Sequence, residues 1–315
     1  MKIIIQAVIP LFCIILVGYL AGRFKSLGTA SAKPLNAFVM KYPLPILIFA
    51  SIAREPLNNV FNFPFICAFL AGLFLPQLIV LWVSRMLYQE TLTKSVLRAM
   101  AVSFPNVGFM GIPLLGALYG KEGILIASIS VFLSVFQMLF TIIICEIDKE
   151  EKTTLKESLK SGAILFIKHP MMIATFLGLL YSASSLPMPV PLDNFTKYLG
   201  GVAGPTALFA LGLLLVGVTF NKGKTEVTII SLLKLLMQPV ITLMLLLVFK
   251  ADPIWAASGM LLAALPTGVA ISIFTDYYGE YTQRGTKTLL VTTIGSLITL
   301  SVLIALIPRF WPTLS

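Results

Sequence analysis

The sequence predicts an all-α polytopic membrane protein of ten transmembrane helices, built as two inverted five-helix repeats in which helices four and nine are broken. Three observations predict it. Apolar runs of span length recur along all 315 residues. Lys and Arg alternate between opposite sets of loops. Prolines, glycines and glutamines recur at a nearly constant offset between the two halves.

The chain is 58% hydrophobic and 11% charged, with a mean hydropathy of +0.96. A water-soluble surface needs more charge than this. The runs are continuously apolar and lack the period-two alternation of a membrane barrel, so the expected element is the helix. A net charge of +10 would suggest nucleic acid in a soluble protein. Here the basic residues are scattered over short loops, where they set topology, and no nucleic-acid partner is expected. Cys13, Cys67 and Cys145 fall in apolar spans and read as small core residues, with no disulfide framework or metal spacing. No metal or cofactor is expected.

The elements follow in order. Span one (3–22) carries Pro10 and lacks a small-residue cleavage site, so it reads as a retained span and not a signal peptide. Span two (35–53) ends before Arg54. Span three (63–84) contains Pro76 and Gln77. Span four (97–119) is interrupted by "FPNVGFMGIPLLG" (104–116), and span five (123–146) carries Ser134 and Gln137. The longest polar connection, Asp148 to Gly162, separates the halves. Span six (169–186) opens at His169, which reads as an interfacial residue, and Pro170. Span seven (196–219) follows. Span eight (227–249) holds Lys234, expected to snorkel to the cytoplasmic face, and Gln238 beside Pro239. Span nine (254–275) is broken at "ALPT" (264–267), and span ten (288–308) carries Ser296 and Thr299. No soluble domain is expected. The domains are therefore a first repeat at 1–147, a cytoplasmic connecting loop at 148–167 and an inverted second repeat at 168–315.

One side of the membrane collects Arg23, Lys25, Lys33, Lys41, Arg85, Lys94, Arg98, the lysines of the central loop, Arg284 and Lys287, among others. The other side has only Lys2, Arg54, Lys121, Lys197, Lys250 and Arg309. The first set should be cytoplasmic, which puts both termini outside. Pro10 and Pro170, Gly18 and Gly178, and "PILIFA" (45–50) and "PTALFA" (205–210) all lie 160 residues apart. Gln77 and Gln238, and "SFPN" (103–106) and "ALPT", lie 161 apart. Five spans per half is an odd number, so the second half must enter the membrane from the opposite side, as in many secondary transporters.

A helix broken at mid-membrane frees backbone groups that must face protein or a watery cavity. It also presents half-helix N-termini that suit an anion. Glycine lets a ligand approach the backbone, and Asn106 offers donors and an acceptor. The candidate substrate-binding residues are Pro105, Asn106, Gly108, Gly111, Pro113, Gln137, Pro266, Thr267, Gly268 and Ser272. Ser103, Gln77 and Gln238 lie within reach, and the two glutamines equally suit bridging between helices.

At "PNVGFMGIPL" (105–114), "LPILIFASIA" (44–53), "GPTALFALGLLL" (204–215) and "ALPTGVA" (264–270), the chain resembles the auxin efflux carrier family over essentially its whole length. That family resembles the wider group of bile acid/sodium symporters and sodium/proton antiporters. The resemblance implies that spans four and nine cross in mid-membrane. It implies a scaffold of spans one, two, six and seven able to form a homodimer, and a transport domain of spans three to five and eight to ten that moves by elevator-type alternating access. It implies a small organic anion as substrate, a carboxylate such as malonate or an auxin-like acid, with Asn106 near it. The second break departs from the family pattern, with Thr267 and no asparagine after Pro266. The compact chain resembles a prokaryotic member, hence a bacterial inner membrane.

The coupling ion, sodium or a proton, is left open beside potential-driven movement. A membrane sensor or scaffold that binds such an anion without moving it is the second reading. An enzyme is not expected, since the spans hold no buried carboxylate pair and the single His169 sits at a span edge.

Overall fold

The computed structural model describes residues 6–149, 164, 167–218 and 223–314. Most of the expected connecting loop at 148–167 lies outside them, as do Lys2, Lys222 and the extreme ends of spans one and seven. Among the described residues every regular element is a helix, and the only strand-like feature is one isolated bridge. The helices are α1 (Ile9–Arg23), α2 (Ala32–Lys41), α3 (Pro43–Ala53), α4 (Leu57–Val60), α5 (Phe63–Leu87), α6 (Leu92–Ser103), α7 (Ile112–Lys149), α8 (Pro170–Ala183), α9 (Val190–Gly201), α10 (Ala203–Leu214), α11 (Lys224–Leu232), α12 (Gln238–Val248), α13 (Pro253–Ala263), α14 (Ala270–Tyr278) and α15 (Thr282–Phe310). Turns of π-helix, Val107–Gly111 and Leu233–Met237, lead into α7 and α12.

Among the described residues, six helical segments are long and apolar enough to cross a membrane: Thr29–Ala53, Leu57–Leu87, Val107–Asp148, Val190–Leu214, Lys224–Val248 and Thr282–Phe310. The helices α1, α8 and α13 are shorter but apolar. The protein is thus a multi-pass helical membrane protein. At 42 residues, Val107–Asp148 is about twice the length of one span. It folds back at Gly120, whose φ of 60° and ψ of −134° suit glycine alone. Just beyond the bend, Gly123 lies so close to Leu115 that a Cβ would stand 2.1 Å from its carbonyl oxygen. The bend falls between the expected spans four and five.

Two breaks were not legible in the sequence. Spans two and seven read as continuous, yet the chain leaves the helix at Tyr42 (φ −125°, ψ −74°) and turns at Val202. Proline explains both. The rings of Pro45 and Pro205 exclude the carbonyls of Lys41 and Gly201 four residues back, and Pro43 pushes Tyr42 out of the helical region. Tyr42 and Val202 are 160 apart, the offset of the sequence repeat. Span ten also begins earlier than expected, at Thr282.

The chain forms two compact units. Unit 1 comprises Met1–Phe63, Val107–Phe132 and Lys168–Gly217, and unit 2 comprises Pro64–Asn106, Leu133–Ile167 and Val218–Ser315.

Within unit 1, α1 packs along α10 and α8 packs along α3. Small residues let the backbones touch. A Cβ on Gly18 would stand 2.1 Å from the carbonyl oxygen of Phe209, and one on Gly178 would stand 3.1 Å from that of Phe49. Both glycines and both phenylalanines are 160 apart. Two apolar grooves follow the same rule. One is lined by Ile14, Leu35, Pro205, Thr206 and Phe209, the other by Ala174, Phe195, Pro45, Ile46 and Phe49. Ser51 donates to Ser128 at 2.8 Å, and Arg54 pairs with Asp193 at 2.7 Å.

Unit 2 has an aromatic contact between Phe65 and Trp255 at 5.0 Å and a polar bridge from the Gln77 amide to Thr141 at 2.9 Å. Arg98, counted above with the exposed loop charges, is only 2% exposed. Its guanidinium lies over Tyr88 and pairs with Glu90 and, at 2.7 Å, with Glu226, which also holds Arg284 at 2.5 Å. This cluster joins the loop before α6 to α11 and α15. A buried arginine needs such partners, because an unpaired one costs several kcal/mol (~3–5).

Candidate functional site: the paired helix breaks of unit 2

Helix α6 ends at Ser103 because Pro105 has no N–H and forces Phe104 into extended backbone, φ −95° and ψ 98°. Helix α13 ends at Ala263, shortly before Pro266, and α14 starts afresh at Ala270. The two interruptions pair with each other. Asn106 N–H donates to the Pro266 carbonyl at 2.9 Å, and Gly268 N–H donates to the Phe104 carbonyl at 2.8 Å. Pro105 faces Thr267 as an antiparallel bridge. Backbone groups freed by one break are thus satisfied by the other, as burial requires. Gly268 makes room for this contact, since a Cβ would stand 2.6 Å from the Phe104 ring.

A helix leaves its last carbonyls without partners, and side chains take them up. The Thr267 hydroxyl donates to the Ala101 carbonyl at 2.7 Å, while its own N–H donates to the Thr292 hydroxyl of α15 at 3.2 Å. The Gln238 amide donates to the Ser103 carbonyl at 2.6 Å. Lys234 Nζ donates to Gln238 Oε1 at 2.6 Å and to the Ala263 carbonyl at 2.8 Å. Lys234 and Gln238 therefore link the last carbonyls of both interrupted helices.

Lys234 overturns one expectation. The sequence predicts that it snorkels to the cytoplasmic face, but it is 0% exposed. The π-turn Leu233–Met237 contains it, and two internal acceptors hold its amine. The signal that could have found it is its i,i+4 spacing from Gln238, which the sequence places within reach of the breaks.

Two polar groups around the breaks stay open. Asn106 is 4% exposed, and its side-chain Nδ2 has no partner among the described residues. Gln137 donates to the Ser103 hydroxyl at 2.7 Å and to the Leu73 carbonyl at 3.2 Å, while its Oε1 is buried without a partner. A buried group left unmatched marks strain or a place for a ligand, an ion or a water. Together they offer a donor and an acceptor, and α14 directs its positive N-terminal end towards the second break.

The structure brings together Pro105, Asn106, Pro266, Thr267 and Gly268, with Gln137 joined through Ser103. Ser272 stands on the first turn of α14, where its hydroxyl donates to the Val269 carbonyl at 2.8 Å. Gly108, Gly111 and Pro113 belong to unit 1. A Cβ on Gly108 would stand 3.1 Å from Leu44, and Pro113 lies against Gly204. Gly111 is buried in the π-turn. Among the described residues no cluster of His, Cys, Asp and Glu has a metal-holding arrangement.

The sequence model of a family described as "Membrane transport protein" matches residues 3–304. A "Putative malonate transporter" of Rhizobium meliloti (strain 1021) is 28% identical over 304 residues, covering 95% of this chain and 94% of that protein. The "Uncharacterized transporter YfdV" of Escherichia coli (strain K12) is 24% identical over 302 residues, 92% of this chain and 93% of its own. A mouse "Lysosomal cholesterol signaling protein" is 26% identical over an alignment of 318 positions that covers 92% of this chain and 36% of the mouse protein.

Proposed function

This chain belongs to the auxin efflux carrier family of membrane transport proteins, and on that premise we propose that it is a secondary transporter of a small organic anion, a carboxylate such as malonate. The observation that carries this reading is the pairing of the two helix breaks around the unpartnered Asn106 amide. The helix end at α14 and the unmatched amide are donors suited to a carboxylate. The relative named for malonate favours the same substrate class.

The architecture is a ten-helix inverted repeat with α6 and α13 entering the crossover. The recurrent offset of 160 in the glycine crossings, the Tyr42 and Val202 breaks and the two grooves of unit 1 supports it. Transport proceeds by elevator-type alternating access, for which the division into two compact units offers two bodies. Spans one, two, six and seven, which fall in unit 1 together with Val107–Phe132, serve in this reading as a scaffold able to form a homodimer. Charge alternation supports an orientation with both termini outside, and the resemblance to compact prokaryotic members supports a bacterial inner-membrane location.

Purified protein in liposomes, loaded with labelled malonate, other dicarboxylates or indole acetate, tests the function. Saturable flux of at least one anion is expected, and folded protein that moves none overturns it.

A second reading, a membrane sensor that binds the anion without moving it, is favoured by the mouse relative, in which the matching region is a minor part of a protein named for signalling. Ligand-dependent thermal stabilisation without flux selects it.

A further inference from the structure

Lys234 is the feature that anion binding leaves unexplained. Its amine is buried, and among the described residues it meets no carboxylate. Its partners are two neutral oxygens, Gln238 Oε1 and the carbonyl of Ala263. The orientation of Gln238 is fixed from its other side, because its nitrogen donates to the Ser103 carbonyl. Its oxygen must therefore face Lys234. Burying an amine with only neutral partners is costly, and an ionisable residue kept inside a membrane protein at that cost marks a functional position.

The surroundings of the nitrogen define that place. A side-chain amide oxygen and a peptide oxygen are hard donors of the kind that alkali and alkaline-earth cations take. Ala263 is the last residue of α13, so its carbonyl lies at the negative end of that helix. In carriers with interrupted helices, freed carbonyls and half-helix C-terminal ends are where a coupling cation is held. Here a nitrogen on a four-carbon tether already stands there. The π-turn Leu233–Met237 carries it, and it joins the ends of α6 and α13 through Gln238.

We infer that Lys234 Nζ is a tethered substitute for a monovalent metal cation at the helix breaks, and that this protein works without bound sodium. Withdrawing the amine uncovers a sodium site formed by Gln238 Oε1, the Ala263 carbonyl and water entering the vacated volume. The transport half of this inference rests on the carrier reading above. The cation half does not, and the experiment addresses it without measuring flux.

Wild type, Lys234→Ala and Lys234→Arg are extracted and melted in choline chloride, then with sodium, lithium or potassium chloride replacing choline at constant ionic strength. The wild-type melting temperature should be unchanged by the exchange. Lys234→Ala should melt lower in choline and be restored saturably by sodium, and Lys234→Arg, which keeps a tethered donor, should not respond. A Lys234→Ala protein recovered only when extracted in sodium is the same result. Saturable stabilisation of wild type by sodium over choline overturns the inference whatever the variants do. So does a Lys234→Ala protein that no alkali cation stabilises, or that survives in neither salt. Absence of anion flux from wild type would sink the carrier reading and leave these outcomes standing.

Discussion

The backbone amide of Asn106 donates to the carbonyl of Pro266 at 2.9 Å. Two helices that stop for want of proline N–H groups thereby complete each other. This pairing holds the Asn106 side chain in a buried position with its nitrogen unmatched. The candidate site follows from the way the chain satisfies its own backbone.

Gly268→Ala tests the pairing. The added Cβ would stand 2.6 Å from the Phe104 ring, so the strand-like contact must part or the ring must move. Overpacking of this kind costs about 1–3 kcal/mol. A lowered melting temperature in detergent is the expected result, and an unchanged one means the pairing is loose.

Gln238→Leu tests the link between the two helix ends. It leaves the Ser103 carbonyl and Lys234 Nζ each without a partner they now have. A buried polar group left unmatched costs about 1–3 kcal/mol. Gln77→Leu removes a single bond to Thr141 and should be milder, as comparative thermal denaturation would register.

The glycine crossings of unit 1 predict a graded pair. Gly18→Ala places a methyl 2.1 Å from the Phe209 carbonyl oxygen, and Gly178→Ala places one 3.1 Å from that of Phe49. Both should destabilise, Gly18→Ala more severely. Equal melting temperatures for the two variants would contradict the geometry.

Acid should weaken unit 2 through Glu90. Burial raises this carboxyl, but hydrogen bonds from Lys94 and Arg98 and their charges outweigh it and hold it below its ordinary value of 4.5. A carboxylate depressed in the folded state adds stability above its unfolded pKa and loses it as pH falls through the folded value. Melting temperature should therefore drop below pH 4.5, and Glu90→Gln should flatten that drop while lowering stability at neutral pH.

Much of this was legible in the sequence, and the reasons are physical. Apolar run length and charge alternation report directly on membrane helices, so the helical, multi-pass character followed from composition. The breaks at 104–106 and 264–268 were visible because proline removes a donor whatever surrounds it. Tyr42 and Val202 escaped because their breaks depend on prolines acting on carbonyls four residues back inside otherwise apolar runs. Lys234 and Arg98 escaped for another reason. A lone basic residue near a span end ordinarily reaches water, and only the fold brings Gln238 and Ala263 to one and Glu90 and Glu226 to the other. Thr267 illustrates a third limit. Its position at the second break was readable, but the use of its hydroxyl on the Ala101 carbonyl depends on how the two breaks meet.

The most direct test of the account is anion flux through Asn106→Ala in liposomes, beside wild type and a melting curve of each. Only a ligand, and no residue described in unit 2, is expected to engage the Asn106 Nδ2. The account therefore predicts that flux of the anion the wild type carries is abolished while the melting temperature stays close to wild type. Flux equal to wild type from folded Asn106→Ala would contradict it.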